Sequence, residues 1–353
     1  MSDTFDDFLN KMASGKKAVD FKVHRGTDIQ LASHVPYGIA SGIPQLDLSI
    51  GRRGYPAGRI IEVHGFEHSG KSCAALAAVR EVQRLGGYAV WIDTEFCFDA
   101  AWAAQNGCDP NKISVAETEC IEGIFEIQKK AMESYEELDE KVPFIVVTDS
   151  ITGVPSKETL ERGFDEVNRL GTDARAIRNG LKKLNSSITR SKMLFMFINH
   201  SIAETNARFA NSTSAGGHAL KFFAAIRIKL ARTSNVMHEK DGEKLYKGME
   251  VKITVEKNKI GKTGNKAFEC YLLENGFDLY ENLFDGFEKI GVIQKVNSKS
   301  FLFEPTSTHL TKKEWKTFVD DQTQGLGKAY DWFLEQAKTR EFIKDYGIED
   351  SLV

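Results

Sequence analysis

The chain has 353 residues, of which 41% are hydrophobic and 27% are charged, and its formal net charge at pH 7 is -3. This composition is typical of a folded globular protein and excludes fibrous and low-complexity chains. The small negative charge argues against a protein that coats nucleic acid with its whole surface, but it allows a local basic groove. The five cysteines are scattered without a CxxC pair, so neither a disulfide framework nor a zinc site is predicted.

The N-terminal segment predicts a short helix followed by a polar linker. Apolar residues recur at helical spacing after a candidate N-cap threonine: Thr4, Phe5, Phe8, Leu9 and Met12. This helix could pack on its own domain or dock on a neighbouring subunit, and the sequence favours neither. The N-terminus lacks the features of a signal peptide, and no apolar run is long enough to span a membrane. We therefore expect a cytoplasmic protein.

From Gly58 onward, short apolar runs alternate with helical stretches. A helix is predicted over Lys71–Leu85, and the apolar runs are RIIEVH (59–64), YAVWID (88–93), FIVVTD (144–149) and MLFMFIN (193–199). Continuous apolar strands separated by helices are typical of a parallel sheet covered on both faces. The predicted fold class is α/β.

Three later segments predict antiparallel strands that extend this sheet. AIRIKLAR (225–232), MEVKITVEK (249–257) and AFECYLL (267–273) alternate more strictly and are joined by turn-like segments. Beyond about Asn282 the apolar density falls, and helix-like stretches indicate a small C-terminal α/β unit. The predicted organisation is a helix and linker for subunit docking (1–34), a core (35–281) and a small C-terminal domain (282–353).

The segment GFEHSGKS lies between a predicted strand and a predicted helix and matches the phosphate-binding pattern GxxxxGK[ST]. Its glycines let backbone N–H groups curl around phosphates, Lys71 reaches the outer phosphates, and the Ser72 hydroxyl ligates Mg²⁺. A chance glycine-rich turn is the alternative, and the flanking strand and helix argue against it. The predicted nucleotide-binding residues are Gly65, Phe66, Glu67, His68, Ser69, Gly70, Lys71, Ser72 and Cys73.

Two carboxylates at strand ends could complete a hydrolytic site. Asp149 ends an apolar strand, where a P-loop enzyme needs a second carboxylate on the metal side. Glu95 follows another strand end and is the candidate that orients or deprotonates the attacking water. Asp93 competes for this role, but its position nearer the strand also fits a cap or a structural partner.

These motifs together resemble the RecA family of ATP-dependent recombinases, over about Val35–Tyr280 and in family order. Besides the P-loop, the matching segments are WIDTEFCFD, VVTDS, FMFINHS, SAGGHALKFFAAIRIKLAR and VEKNKIG. The reduced C-terminal region looks closer to phage-type members such as UvsX. The resemblance implies a RecA-like P-loop core that uses ATP and Mg²⁺, with DNA-dependent ATP hydrolysis in recombination and repair.

The resemblance also implies partners. We expect helical filaments on single-stranded DNA, pairing and strand exchange with homologous duplex DNA, and help from a loading mediator and a single-strand-binding protein. The cell would be a bacterium or a phage-infected host. A RecA-core helicase or branch-migration motor remains an alternative, because KNKIG also resembles a motif of such enzymes. A nucleotide switch without catalysis is a third interpretation, which the presence of Glu95 disfavours.

Carried over by residue, the resemblance makes Glu95 the base that polarises water and places Asp99 and Trp102 beside the adenine. A core tryptophan is an equal alternative for Trp102. His200 stands where many members have glutamine. It would hydrogen-bond to the terminal phosphate and transmit the presence of this phosphate to the following DNA loop. Because histidine titrates near neutral pH, this relay could be pH-sensitive. The alternative for His200 is a packed histidine at a strand end.

A late basic motif supplies the predicted contacts between subunits. Alternation along the strand puts Lys257 and Lys259 on one side. Composition alone predicts a solvated strand edge, whereas the resemblance makes the two lysines reach the neighbour's ATP as arginine fingers do. Phe222 is expected at the same interface, coupling the nucleotide and DNA sites.

Two polar segments, 156–172 and 201–217, correspond to the DNA-binding loops of the family. The first is acidic at its tip, which on its own would indicate a solvated helix face. We therefore expect contact mainly through basic side chains and glycine N–H groups around the loops. The candidates are Arg169, Arg175, Arg178, Lys182, Arg208, Gly216 and Gly217.

Overall fold

A computed structural model describes residues 34–162, 171–203, 212–214, 218–240, 243–261, 267–323 and 325–345. Several predicted features lie outside these residues: the N-terminal helix Thr4–Met12, Arg169, Arg208, Gly216 and Gly217. In the part of the chain that is described, helices cover both faces of one large sheet, and a smaller unit with its own sheet follows. The α/β prediction is confirmed. None of the helices in these ranges is long and apolar enough to cross a membrane.

The strands are β1 Gly38–Ile39, β2 Tyr55–Pro56, β3 Ile60–Gly65, β4 Tyr88–Asp93, β5 Ile113–Glu117, β6 Phe144–Asp149, β7 Leu194–Ala203, β8 Ser212–Ser214, β9 Ile226–Lys240, β10 Glu243–Asn258, β11 Ala267–Leu273, β12 Gly276–Phe277, β13 Ile293–Lys295, β14 Ser300–Phe303 and β15 Thr308–Thr311. The α-helices are α1 Pro44–Ile50, α2 Lys71–Arg84, α3 Ala100–Gln105, α4 Ile121–Glu136, α5 Lys157–Leu160, α6 Thr172–Ser191, α7 Ala219–Phe223, α8 Leu279–Lys289, α9 Trp315–Thr323 and α10 Leu326–Thr339.

The main sheet has the order β12-β11-β10-β9-β3-β7-β6-β4-β5, with β8 paired to β7. The strands from β9 to β5 are parallel, whereas β10, β11 and β12 extend the sheet by antiparallel pairing. All parallel strands therefore end at the same edge, and the residues that follow β3, β4, β6 and β7 meet there. Ligands of open α/β sheets bind at this edge.

Side-chain alternation along the parallel strands fills two hydrophobic layers. Ile61 and Val63 of β3 pack with α2 on one face, whereas Ile60 packs with α4 and α6 on the other. Residues of β7 alternate between the two layers. Leu194, Met196 and Ile198 lie in the first layer, whereas Phe195 and Phe197 lie in the second. Both faces are covered, which is why these strands read as continuous apolar runs rather than alternating ones.

The C-terminal unit is built around a hydrophobic cluster that also includes Ala40 and Leu48 of the main domain. Helices α8, α9 and α10 pack around the three-stranded sheet β13-β14-β15 with a cluster of aromatic rings that includes Phe287 and Phe303. Its contact with the main domain includes a polar pair, in which the buried Tyr330 hydroxyl of α10 donates to the buried Asp47 carboxylate of α1. Burial raises the pKa of Asp47 to about 7.

Candidate active site

The P-loop occupies the turn between β3 and α2, and two of its glycines are sterically required. A Cβ on Gly65 would lie 2.4 Å from the carbonyl oxygen of Leu230, so no side chain fits there. Gly70 has φ +89°, a left-handed conformation that favours glycine, and a Cβ there would lie 2.6 Å from a methyl of Leu272. The Lys71 ammonium donates back across the loop to the carbonyl of Phe66 over 2.9 Å. The backbone between β3 and α2 is thus compatible with the phosphate loop that the sequence predicts.

Ser69, inside this loop, has a buried hydroxyl oxygen with no hydrogen-bond partner among the described residues. A buried polar group without a partner is costly, and a ligand that offers acceptor oxygens would satisfy it. The orphaned hydroxyl therefore fits a phosphate in the P-loop. Burial lowers the pKa of Lys71, opposed by the charges of Asp149 and Glu95, and a bound anion would stabilise the charged form of this side chain.

Ser72 and Asp149 meet at the strand ends, because the Ser72 hydroxyl donates to Asp149 Oδ2 over 2.8 Å. Burial raises the pKa of Asp149 to about 6, although the hydrogen bond from Ser72 works in the other direction. A hydroxyl and a carboxylate are hard oxygen ligands of the kind Mg²⁺ takes when substrate phosphates supply the rest. Among the described residues no cluster of three or more His, Cys, Asp or Glu side chains could hold a metal by itself. The pair thus fits Mg²⁺ only together with a bound triphosphate.

Glu95 lies just past β4 and is held by two neighbours. Its Oε1 accepts from the Ser150 hydroxyl over 2.8 Å and lies 3.0 Å from His200 Nε2. Burial raises the pKa of Glu95, but the hydrogen bonds from His200 and Ser150 and the charges of His200 and Lys71 outweigh it, and the pKa is lowered. Glu95 is therefore a carboxylate at neutral pH. Both hydrogen bonds go to Oε1, which leaves Oε2 for a water molecule.

Asp93 has a structural position rather than one facing this site. Its carboxylate accepts from the backbone N–H groups of Glu95, Cys97 and Phe98 over 3.1, 2.9 and 2.7 Å. These bonds fix the turn that presents Glu95, so of the two interpretations offered by the sequence the structural one fits.

Asp99 and Trp102 lie at the start of α3. The Asp99 side chain caps this helix by accepting from the N–H groups of Ala101 and Trp102 over 2.8 and 3.1 Å. Trp102 is half-buried, packs against the core and also borders a surface cavity of about 380 Å³ next to the P-loop. Both interpretations of Trp102 are thus compatible with its position.

A buried histidine that the sequence did not single out links the strand ends. His64 Nδ1 lies 3.1 Å from the Ser201 hydroxyl, and His64 Nε2 lies 3.0 Å from Glu256 Oε2. Ser201 directly follows His200, and Glu256 directly precedes Lys257. His64 therefore connects β7, which runs towards the predicted second DNA loop, with β10, which carries Lys257 of the predicted lysine pair.

A second part of this network is a buried ion pair. The Arg227 guanidinium donates to Glu62 through Nε and to Glu256 Oε2 through Nη1, the latter over 3.0 Å. Asn199 Nδ2 donates to Glu62 Oε1 over 3.0 Å. Buried charges of this kind persist when they are paired and hydrogen-bonded. The sequence signal was a charged residue inside an apolar strand, Glu62 in RIIEVH, but its partner 165 positions away could not be read from spacing.

The predicted interface residues lie together on another surface. Lys257 Nζ donates to the carbonyls of Lys221 and Phe222 over 2.6 and 3.0 Å, and Lys259 Nζ donates to the Phe222 carbonyl over 3.2 Å. Both ammonium groups thus sit at the C-terminal end of α7, where the helix carbonyls favour cations. The Phe222 side chain is 72% exposed, unusual for phenylalanine.

Three predicted DNA contacts share the face of α6. Arg175, Arg178 and Lys182 are exposed and follow one another at helical spacing. Together with Phe222 and Phe223 of α7 they border a cavity of about 540 Å³. The structure therefore brings basic side chains next to the predicted interface aromatic residue.

The sequence is similar to known proteins over most of its length. Residues 13–277 match the family described as the RecA N-terminal domain. The chain belongs to the RecA family. The protein named Protein RecA from Francisella philomiragia is 34% identical over 258 residues, which cover 73% of this chain and 69% of that protein. Proteins of the same name from Bacteroides thetaiotaomicron and Malacoplasma penetrans are each 32% identical, covering 74% and 80% of this chain and 76% and 83% of their own length.

RecA-family proteins are DNA-dependent ATPases of recombination and repair, and this defines the function class of the chain. The relatives named here give no support to the helicase or branch-migration alternative, and they do not show a specific similarity to UvsX.

Proposed function

We propose that the chain binds ATP and Mg²⁺ at the P-loop, polymerises on single-stranded DNA and catalyses homologous pairing and strand exchange in the cytoplasm. The observation that best supports this proposal is that Ser72 contacts Asp149 and Glu95 contacts His200 at the same edge of the sheet. These groups are those that phosphoryl transfer to water requires: a cation at the phosphates, a metal site and a carboxylate for the nucleophile.

In the proposed mechanism, Lys71 and the N–H groups of the P-loop hold the outer phosphates, and Ser72 with Asp149 holds Mg²⁺. Bound Mg²⁺ would neutralise charge on the phosphate oxygens. Glu95 orients a water molecule through Oε2, since Oε1 is already bonded to Ser150 and His200. The lowered pKa of Glu95 keeps it ionised, so it acts mainly by positioning the water and accepting its proton late.

His200 is the proposed link to DNA. Its imidazole contacts Glu95 directly and lies on β7, which runs towards the second loop segment. A terminal phosphate would compete with Glu95 for Nε2 and thereby shift the strand that carries His200. The bond between Ser201 and His64 supports this proposal, because it couples the same strand to Glu256 and Lys257.

The second half of the proposed site comes from the next subunit. Lys257 and Lys259, with exposed Phe222 beside them, would face the neighbour's nucleotide and stabilise charge on the transferred phosphoryl group. Residues 1–34 would dock the subunits, and residues 282–353 would form a small domain.

ATP turnover would then depend on assembly, and single-stranded DNA would promote assembly. The proposed DNA contacts are Arg175, Arg178, Lys182 and the loop residues Arg169, Arg208, Gly216 and Gly217. A loading mediator and a single-strand-binding protein are proposed as further partners.

The test combines turnover with imaging. ATP hydrolysis is measured with and without single-stranded DNA, and filaments are sought by electron microscopy. We expect DNA to stimulate turnover, and the doubly substituted Arg175→Ala/Lys182→Ala variant to need more DNA for the same stimulation. Lys129→Ala/Lys130→Ala, which also removes two exposed charges but from α4, is the matched control and should behave as the parent does. A rate that DNA leaves unchanged, with no filaments, would refute the proposal.

A further inference from the structure

The cavity beside the P-loop is bordered by parts of the chain that are distant in sequence. His68–Cys73 form one side, Trp102 of α3 borders it, and the ribbon of β9 and β10 contributes Arg232, Tyr246 and Met249. Its volume of about 380 Å³ is within the range of small-molecule sites. The predicted nucleotide contacts included Trp102 but nothing from the ribbon.

Strand register explains why the ribbon reaches this cavity. β9 pairs in parallel with β3 only as far as Leu230, opposite Gly65, yet it continues to Lys240 and returns as β10. The ribbon therefore projects beyond the strand end from which the P-loop starts. A Cβ on Gly70 would lie 3.9 Å from the methyl of Met249, which packs against the main core. The Met249 methyl of the ribbon therefore lies close to the P-loop.

Tyr246 borders the cavity and is about half exposed. Its side chain is 48% exposed, although a tyrosine usually buries most of its ring. The neighbouring Leu245 is 45% exposed but does not border the cavity, since consecutive strand residues point to opposite faces. Tyr246 and Leu245 therefore form a natural pair of site and control positions.

We propose that Tyr246 is a second aromatic wall of a nucleobase site, so that the base of the bound triphosphate lies between Tyr246 and Trp102. This inference rests on the proposed ATP site and adds the residue that recognises the base. Every base has an aromatic face, and stacking on aromatic side chains is a common source of affinity for bases. Arg232, at the same cavity, adds positive charge near the ribose and phosphates.

Stacking has a recognisable specificity. It contributes to the binding of the base and not of the phosphates, and it carries no hydrogen-bond pattern that separates adenine from guanine. Loss of the Tyr246 ring should therefore weaken binding of a complete nucleotide while leaving a base-free polyphosphate unaffected.

Calorimetry with Mg²⁺ and two probes tests this, namely a non-hydrolysable ATP analogue and inorganic tripolyphosphate. Tyr246→Ala should raise the Kd of the ATP analogue about tenfold, the lower part of the range for a lost stacking partner, and change that of tripolyphosphate less than about twofold. Tyr246→Phe, which keeps the ring, should restore parental affinity. Leu245→Ala should match the parent for both probes.

The outcomes are distinguishable. Parental binding of the ATP analogue by Tyr246→Ala would overturn the inference while leaving the proposed ATP site intact. Equal weakening of both probes would also overturn it, because Tyr246 would then act on the P-loop. If the parent protein bound neither probe, the proposed ATP site would fail and the inference with it.

Discussion

Replacing Lys257 by arginine should remove a pH dependence from DNA-stimulated ATP turnover. The Lys257 ammonium is packed against the end of α7, where burial and then the positive charge of Lys259 lower its pKa from 10.5 to about 8. A lysine that stabilises phosphoryl charge acts only in its protonated form. Turnover that depends on Lys257 should therefore fall as the pH rises through about 8.

The size of the effect follows from the pKa. With a pKa near 8, about nine tenths of the Lys257 side chains are charged at pH 7 and about one tenth at pH 9, so the Lys257-dependent rate falls by at most about tenfold, because a phosphate beside the ammonium would raise its pKa. Arginine stays charged over this whole range. Because a guanidinium differs in geometry from an ammonium, the absolute rate of Lys257→Arg can differ from that of the parent. The comparison therefore uses the rate at each pH relative to the maximum rate of the same variant.

Steady-state hydrolysis is measured with saturating single-stranded DNA and ATP between pH 6.5 and 9.5 at constant ionic strength. Lys252→Arg is the matched control, since Lys252 is an exposed residue of the same strand. Its profile should follow that of the parent. The reasoning is refuted if Lys257→Arg loses activity between pH 7 and pH 9 as steeply as the parent does.

Two further predictions concern catalysis and stability. Glu95→Gln should lower kcat by about 10²–10⁴-fold with little change in ATP affinity, as single-turnover kinetics and calorimetry would show, and a large loss of affinity with unchanged kcat would contradict this. Asp47 has a pKa of about 7 in the folded protein against an ordinary value of 3.8, so its stabilising contribution is complete below about pH 4 and is lost as the pH rises through 7. Asp47→Asn should therefore gain stability relative to the parent between pH 5 and pH 8, by about 3 kcal/mol, and urea unfolding midpoints that keep the same difference at both pH values would contradict it.

Much of the sheet could be predicted because its strands are uniformly apolar. The segments 88–93, 144–149 and 267–273 coincide with β4, β6 and β11, and the helix predicted from Lys71 ends one residue later than α2. Strand β5 was missed, since only Ile113 is buried in it and edge strands carry a weak apolar signal. The ribbon of β9 and β10 proved longer than predicted, because Thr233, Ser234 and Asn235 are exposed and polar and interrupt the apolar alternation.

The candidate site was predicted where chemistry and chain position coincide, as for Lys71, Ser72, Asp149 and Glu95. The hydrogen bonds and ion pairs that link the strands around these residues were not predicted. His64 and the Arg227 ion pair lie inside strands, and their partners come from strands far away in sequence. Tyr246 was missed for the same reason, since only the register of β9 against β3 brings it to the P-loop.

The most direct test of the central claim, a site completed by the next subunit, is a mixing experiment with two inactive variants. Glu95→Gln and the double variant Lys257→Ala/Lys259→Ala are assayed alone and as an equal mixture with single-stranded DNA. In a head-to-tail polymer, roughly one quarter of the interfaces in the mixture would pair an intact Glu95 with intact lysines. We expect the mixture to recover roughly a quarter of the parental rate. A mixture no more active than the mean of the two variants would contradict the claim.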